Sequence, residues 1–108
     1  MPPTNSSDAT SFSVQHEPER SRYTVTVDGA VAVADYRRQG DVISFTHTEV
    51  PPELRGRGLA SALARRALDD AREAANHVVP ACEFFARYMD SHPEYDDLRA
   101  PRGDDSPA

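Results

Sequence analysis

The sequence predicts an α+β fold, an antiparallel β-meander followed by an α-β-α unit. Three observations carry this. Two alternating apolar runs meet at Asp28-Gly29, a dipeptide suited to the positive φ angles of a tight hairpin. A third alternating run ends at Pro51-Pro52, where a β-ladder would lose its donors. Beyond the prolines the apolar period changes from two to about 3.6, and the short run Val78-Val79 separates two helical stretches.

The elements follow in order. The chain has 108 residues, enough for one domain with a modest core. Residues 1–11 are polar and proline-containing, and read as a disordered tail; residues 99–108 read the same way. The ordered domain is expected over residues 12–98. A short strand near Phe12 to Gln15 opens it. The first meander strand sets Tyr23, Val25 and Val27 against Thr24 and Thr26, and the second sets Val31, Val33 and Asp35 against Ala32, Ala34 and Tyr36. A turn at Gln39-Gly40-Asp41 leads into the third, Val42 to Val50. Such a sheet needs a helix over one face.

The helix is expected from Gly58 to Ala75. Leu59, Leu63, Ala67 and Ala71 form one line, with Ala60, Ala64, Leu68 and Ala75 beside it. Arg65, Arg66, Asp69, Asp70, Arg72 and Glu73 cover the other side. The small residues let it lie close to its sheet, and Asn76 is a plausible stop. "HVVP" at 77–80 is a short buried strand, placed parallel to the third meander strand by the crossover rule. "CEFFARYMDS" forms a second helix with Phe84, Phe85, Tyr88 and Met89 as its apolar surface, and His92-Pro93 ends it.

Composition narrows the function. The net charge is −6, which argues against nucleic acid or an anionic membrane as partner. No apolar run approaches the ~20 residues of a membrane span, and the N-terminus has no signal-peptide pattern. The single cysteine, Cys82, excludes an intrachain disulfide and fits a reducing, cytoplasmic setting. The four histidines lack metal-ligand spacing, so no metal is expected. The exposed sheet edges allow a monomer or a weak homodimer.

The stretch "PPELRGRGLAS" joins a strand, a glycine turn and a helix N-terminus. That arrangement is a generic anion site, because the first helical N–H groups lack internal partners and the dipole is positive there. It is no Walker motif, since the chain has no lysine, and no dinucleotide fingerprint, since Ser61 stands where the third glycine would be. The glycines alone also allow a flexible joint that binds nothing.

"ELRGRGLAS" resembles the acetyl-CoA pyrophosphate loop of the GNAT superfamily, with pattern Q/R-x-x-G-x-G/A. Gly56 and Gly58 match the glycine positions, and Glu53 stands where Gln or Arg is usual. "HTEVPPELRGRGLASAL" and "VVPACEFFARYMDSHPEY" resemble a narrower group, the very short GNAT-like proteins described as N-acetyltransferase domain-containing. The resemblance covers about Phe12 to Leu98. It implies a minimal GNAT fold with a splayed V between the third meander strand and the "VVP" strand. It implies acetyl-CoA held with its pyrophosphate on the amides of Arg55, Gly56, Arg57, Gly58, Leu59, Ala60 and Ser61, and its pantetheine along the backbone near Glu49 and Val50. It implies acetyl transfer to a primary amine on a protein, peptide or small molecule. The alternative is a CoA- or acyl-CoA-binding module with little catalysis.

Such transfer needs a base for the amine, a donor for the oxyanion and a proton for the thiolate. His47 is the first candidate base, since imidazole changes charge near neutral pH. Unbroken alternation would put it on the face of Ile43 and Phe45, where a core histidine is the competing reading. Glu49 is a rival base two residues on. Cys82 would line the acetyl pocket, or act as a nucleophile if His47 approaches it, or be a buried small hydrophobe. Tyr88 would protonate the thiolate, with core packing as the competing reading.

Overall fold

Two tight turns build the meander. The structure is a computed structural model that describes residues 13–100. Asp28 and Gly29 both have positive φ, 51° and 82°, the combination that lets a two-residue turn follow the twist of its strands. The strands are β1 (Gln15–Glu17), β2 (Arg22–Val27), β3 (Ala30–Gln39), β4 (Val42–Glu49) and β5 (His77–Val79). The helices are α1 (Leu59–Glu73) and α2 (Glu83–Ser91), followed by a 3-10 segment, Pro93–Leu98. The sheet order is β1-β2-β3-β4-β5. The first four strands pair antiparallel, and β5 lies parallel to β4. The α+β expectation therefore holds, with the opening strand shifted to Gln15–Glu17; Phe12 lies outside the described residues.

β3 and β4 lose register between Asp35 and Tyr36. Asp35 faces His47 and Tyr36 faces Phe45, so Thr46 is an extra residue in β4. A bulge of one residue exchanges the two faces of everything beyond it. Ile43 and Phe45 point at the helices and are buried. After the bulge it is Thr48, opposite buried Ala34, that continues this face. His47 and Glu49, opposite Asp35 and Val33, turn to the other one. The expectation that His47 shares a face with Ile43 and Phe45 is corrected by this single inserted residue.

Both helices lie on one face. α1 buries Leu59, Leu63, Ala64, Ala67, Leu68 and Ala71, and α2 buries Phe85 and Met89. Phe45 and Phe85 stack with centroids 4.2 Å apart, joining the meander to α2. At the far end Tyr23 donates to Asp70 on α1 at 3.0 Å. The α1 stop is a Schellman motif: Ala75 takes positive φ, 57°, Ala75 N–H reaches Arg72 O and Asn76 N–H reaches Ala71 O. Asn76 thus serves the stop through its backbone, one position after the left-handed residue.

β5 pairs with β4 only from Val42 to Ser44. β4 runs on to Glu49 without β5 beside it, which is the opening of the expected V. On its other side Val78 bridges to Arg99 and accepts from Ala100 N–H at 2.8 Å. The tail expected from residue 99 is therefore corrected at its first two positions, while the rest of it and residues 1–11 lie outside the described residues. No helix among the described residues is long and apolar enough to cross a membrane.

Candidate functional site

The loop between β4 and α1 is pinned from below. Leu54, in the 3-10 turn Pro52–Leu54, is 2% exposed and anchors the segment in the core. Arg55 turns back and its Nε donates to Val50 O at 3.1 Å. Gly56 and Gly58 then adopt φ of 83° and 85°, a region that L side chains avoid. A Cβ at either glycine would meet no atom within 4 Å. Backbone conformation therefore requires glycine here, and the space in front of the loop is open.

Gly58 is the N-cap of α1, and no side chain caps it. The first internal bond runs from Ala62 N–H to Gly58 O at 3.0 Å. The amides of Leu59, Ala60 and Ser61 precede that bond, so they face outward as donors. No acidic residue occupies the first turn to oppose an anion. Val50, Leu54, Arg55, Gly56, Gly58, Leu59, Ala60 and Ser61, with Phe84 of α2, line a cleft of about 240 Å³. Every loop residue expected from sequence lies there except Arg57. Arg57 lines an adjoining cleft of about 340 Å³ with Gly58, Ser61, Ala62, Arg65, Tyr88 and His92. Gly58→Ala should lower stability by about 1–2 kcal/mol from the left-handed backbone alone. A urea midpoint that falls at constant slope would show it.

Across the opening Cys82 caps the start of α2, and its N–H donates to Phe45 O at 2.8 Å. Its Sγ lies 3.4 Å from Thr48 Oγ1. Thr48, then, is the polar side chain that the fold brings to Cys82; His47 is on the opposite face, and its approach to the thiol is not realised. His47 Nε2 instead lies 3.3 Å from Glu49 Oε1. A carboxylate only accepts, so Nε2 carries the proton in this pair and Nδ1 is the basic nitrogen of the neutral ring.

Tyr88 lies on the α2 face shared with Phe84 and His92, at i and i+4 spacing. Its ring stacks on His92 at 3.9 Å between centroids. His92 Nδ1 donates to Tyr88 O at 2.7 Å, which leaves Nε2 free to bond elsewhere. Burial pushes the Tyr88 phenol up, while the nearby Arg65 guanidinium pulls it down, so it stays protonated at neutral pH. Arg20, Arg22, Arg66, Arg72, Arg87 and Arg99 each reach a carboxylate. Among the described residues Arg57 and Arg65 form no ion pair, although the chain is acidic overall.

Thr48, Phe84, Arg65 and His92 were not among the residues singled out for the site. The α2 stripe Phe84-Tyr88-His92 was visible as helical spacing. Thr48 had no signal, because its face depends on the bulge.

Residues 22–98 match the family described as GCN5-related N-acetyl-transferase. Protein NATD1 of Gallus gallus is 35% identical over 83 residues, covering 74% of this chain and 76% of the relative. Protein NATD1 of Homo sapiens is also 35% identical, covering 74% of each. Protein NATD1 of Danio rerio is 29% identical over 92 residues, covering 81% of this chain and 84% of the relative. The solution NMR structure of a GCN5-like protein from Staphylococcus aureus superposes with a TM-score of 0.67 at 22% identity. It covers 84% of this chain and 90% of its own, a likeness of fold.

Proposed function

Because the chain belongs to the GCN5-related N-acetyltransferase family, we propose that it binds acetyl-CoA at the α1 loop and transfers the acetyl group to a primary amine. The observation that carries this is the uncapped α1 N-terminus, set under two left-handed glycines and beside the open edge of β4. Outward amides and a positive helix end suit a pyrophosphate, and the absence of any Cβ contact at Gly56 and Gly58 leaves room for one. When bound, acetyl-CoA supplies the thioester from which the amine nitrogen takes acetyl.

The amides of Leu59, Ala60 and Ser61 would hold the pyrophosphate, with Phe84 as an apolar wall. Val50 lines the same cleft and would flank the pantetheine arm. Cys82 and Thr48 would line the acetyl end on the helix side of β4. The amine would arrive from the opposite, helix-free face. There His47 Nδ1 would take its proton while Glu49 holds Nε2–H and stabilises the imidazolium. Tyr88, kept protonated by burial, is a candidate donor to the departing thiolate. It borders the loop through the adjoining cleft, alongside Arg57 and Ser61.

Thermal unfolding with CoA tests the first half. Ligand at 100 times its dissociation constant should add about 2.7 kcal/mol of stability. No shift at millimolar CoA would refute the coenzyme reading. A second reading, a CoA-binding module without turnover, is favoured by the exposure of the candidate base pair: the side chains of His47 and Glu49 are 57% and 68% exposed. A thermal shift without acetyl transfer to any member of an amine panel would select it.

A further inference from the structure

The face of β4 that carries His47 has a surface pattern of its own. Both helices bury their apolar residues against the other face of the sheet. The exposed large hydrophobic residues among those described are Val31 and Val79, and both lie on the helix-free face. Val31 pairs with exposed Thr26, and Val79 pairs with Ser44, which alternates with buried Ile43 and Phe45. His47 stands between the two valines. Its partner on β3, Asp35, is four residues from Val31 and two from Arg37, the partner of Ser44. At about 3.3 Å per residue and 4.8 Å per strand, His47 is about 14 Å from Val31 and about 8 Å from Val79, close to the line that joins them. Glu17 and Arg22 satisfy each other at 2.8 Å. The charges next to His47 are therefore the carboxylates of Asp35 and Glu49, while Arg37 lies beyond the bulge toward Val79.

A site for a small amine encloses most of its ligand in a concavity. Here the side chains of His47 and Glu49 are 57% and 68% exposed, so the acceptor must bring its own surface to cover them. Apolar anchors on both sides of the base, with carboxylates at the centre, fit a chain that crosses the face and presents a cationic amine from its middle. Lysine is the side chain with a primary amine. We propose that the acceptor is a lysine of an extended polypeptide segment lying across the helix-free face, with one apolar side chain on Val31 and another on Val79. This rests on the acetyl-transfer reading above and names its acceptor. Side chains of an extended segment face the sheet at every second residue. The two distances therefore place the apolar residues four positions from the lysine on one side and two on the other. The chain itself contains no lysine, so the segment belongs to a different protein. In the transfer the lysine nitrogen gains the acetyl group as the carbon–sulfur bond breaks, its proton passes to His47 Nδ1, and CoA leaves as the thiol.

Capped probes that carry the same ε-amine test this: N-acetyl-lysine amide, and peptides of one lysine, two leucines and serines. In two peptides, one for each chain direction, the leucines stand four and two positions from the lysine; in a control both stand three away. One of the first two should be acetylated with kcat/KM about tenfold above that of N-acetyl-lysine amide, through KM, the scale of one docked apolar side chain. The control should match N-acetyl-lysine amide. Val31→Ser or Val79→Ser should reduce the peptide's advantage several-fold. Both residues are exposed, and an unchanged urea midpoint would show that each variant folds. In amide NMR spectra of the intact protein without coenzyme, the preferred peptide should shift Val31, Asp35, His47 and Val79 and leave Gly56 and Gly58 in place. Equal kcat/KM for all the probes, or shifts confined to other surfaces, would overturn the polypeptide acceptor and leave acetyl transfer standing. A dimer that dissociates on Val31→Ser would give this face to a second copy, with the same consequence. Thermal stabilisation by CoA with no transfer to any probe or to the amine panel would overturn the transfer reading and this one with it.

Discussion

Phe45→Ala should lower the stability of the fold by about 3–5 kcal/mol, the range for truncating a buried aromatic ring. Phe45 is 1% exposed and Phe85 is fully buried. Their rings are nearly parallel, 5° apart, and Tyr36 meets Phe45 in an edge-on contact at 5.9 Å. The ring therefore connects β3, β4 and α2 at one point. Truncation removes the aromatic contacts and leaves a void that α2 cannot close, because Cys82 N–H is bound to Phe45 O and fixes the start of the helix. Urea unfolding should show a lower midpoint with an unchanged slope. In a domain of this size each kcal/mol moves the thermal midpoint by about 4–8 °C. Val31→Ala is the comparison, since Val31 is 44% exposed on the helix-free face and should change stability by less than about 0.5 kcal/mol. A Phe45→Ala loss as small as that would refute this account of the core.

His47→Ala should slow acetyl transfer by about 10²–10⁴-fold, the contribution of a positioned general base, with CoA affinity unchanged. The separation follows from the fold. His47 projects from the helix-free face of β4, while the loop residues and Phe84 line the cleft on the other side. Glu49→Gln should produce a smaller loss, because it keeps the hydrogen-bond acceptor for His47 Nε2–H and removes the charge that stabilises the imidazolium. kcat falling at constant CoA affinity is the expected signature. Loss of CoA binding in His47→Ala would contradict the two-sided arrangement. Undiminished turnover would remove His47 from the chemistry.

Local chemistry made most of the architecture legible. Asp28-Gly29 specifies a tight turn by conformational preference, and the turn sets the β2–β3 register. The α1 stripe from Leu59 to Ala71 is visible because each residue in it packs in the same direction. Gly56 and Gly58 were readable as a glycine turn ahead of a helix, and the structure adds that both take positive φ. These features depend on residues close together in the chain.

The arrangement around the V opening depends on residues far apart. Nothing in "SFTHTEV" marks Thr46 as an inserted residue; the run alternates acceptably without it. The bulge exists because β4 must match β3 both below Tyr36 and above Asp35. Strand side chains alternate with a period of two, so that one residue moves His47 and Glu49 to the open face and Thr48 toward Cys82. Likewise the cleft of Arg57, Arg65 and His92 forms only when α2 docks against the head of α1. By itself the sequence determined the turns, the helices, the glycine loop and the family resemblance. The tertiary structure decided which side of the sheet each reactive side chain faces, because that parity is set by pairing with a distant strand.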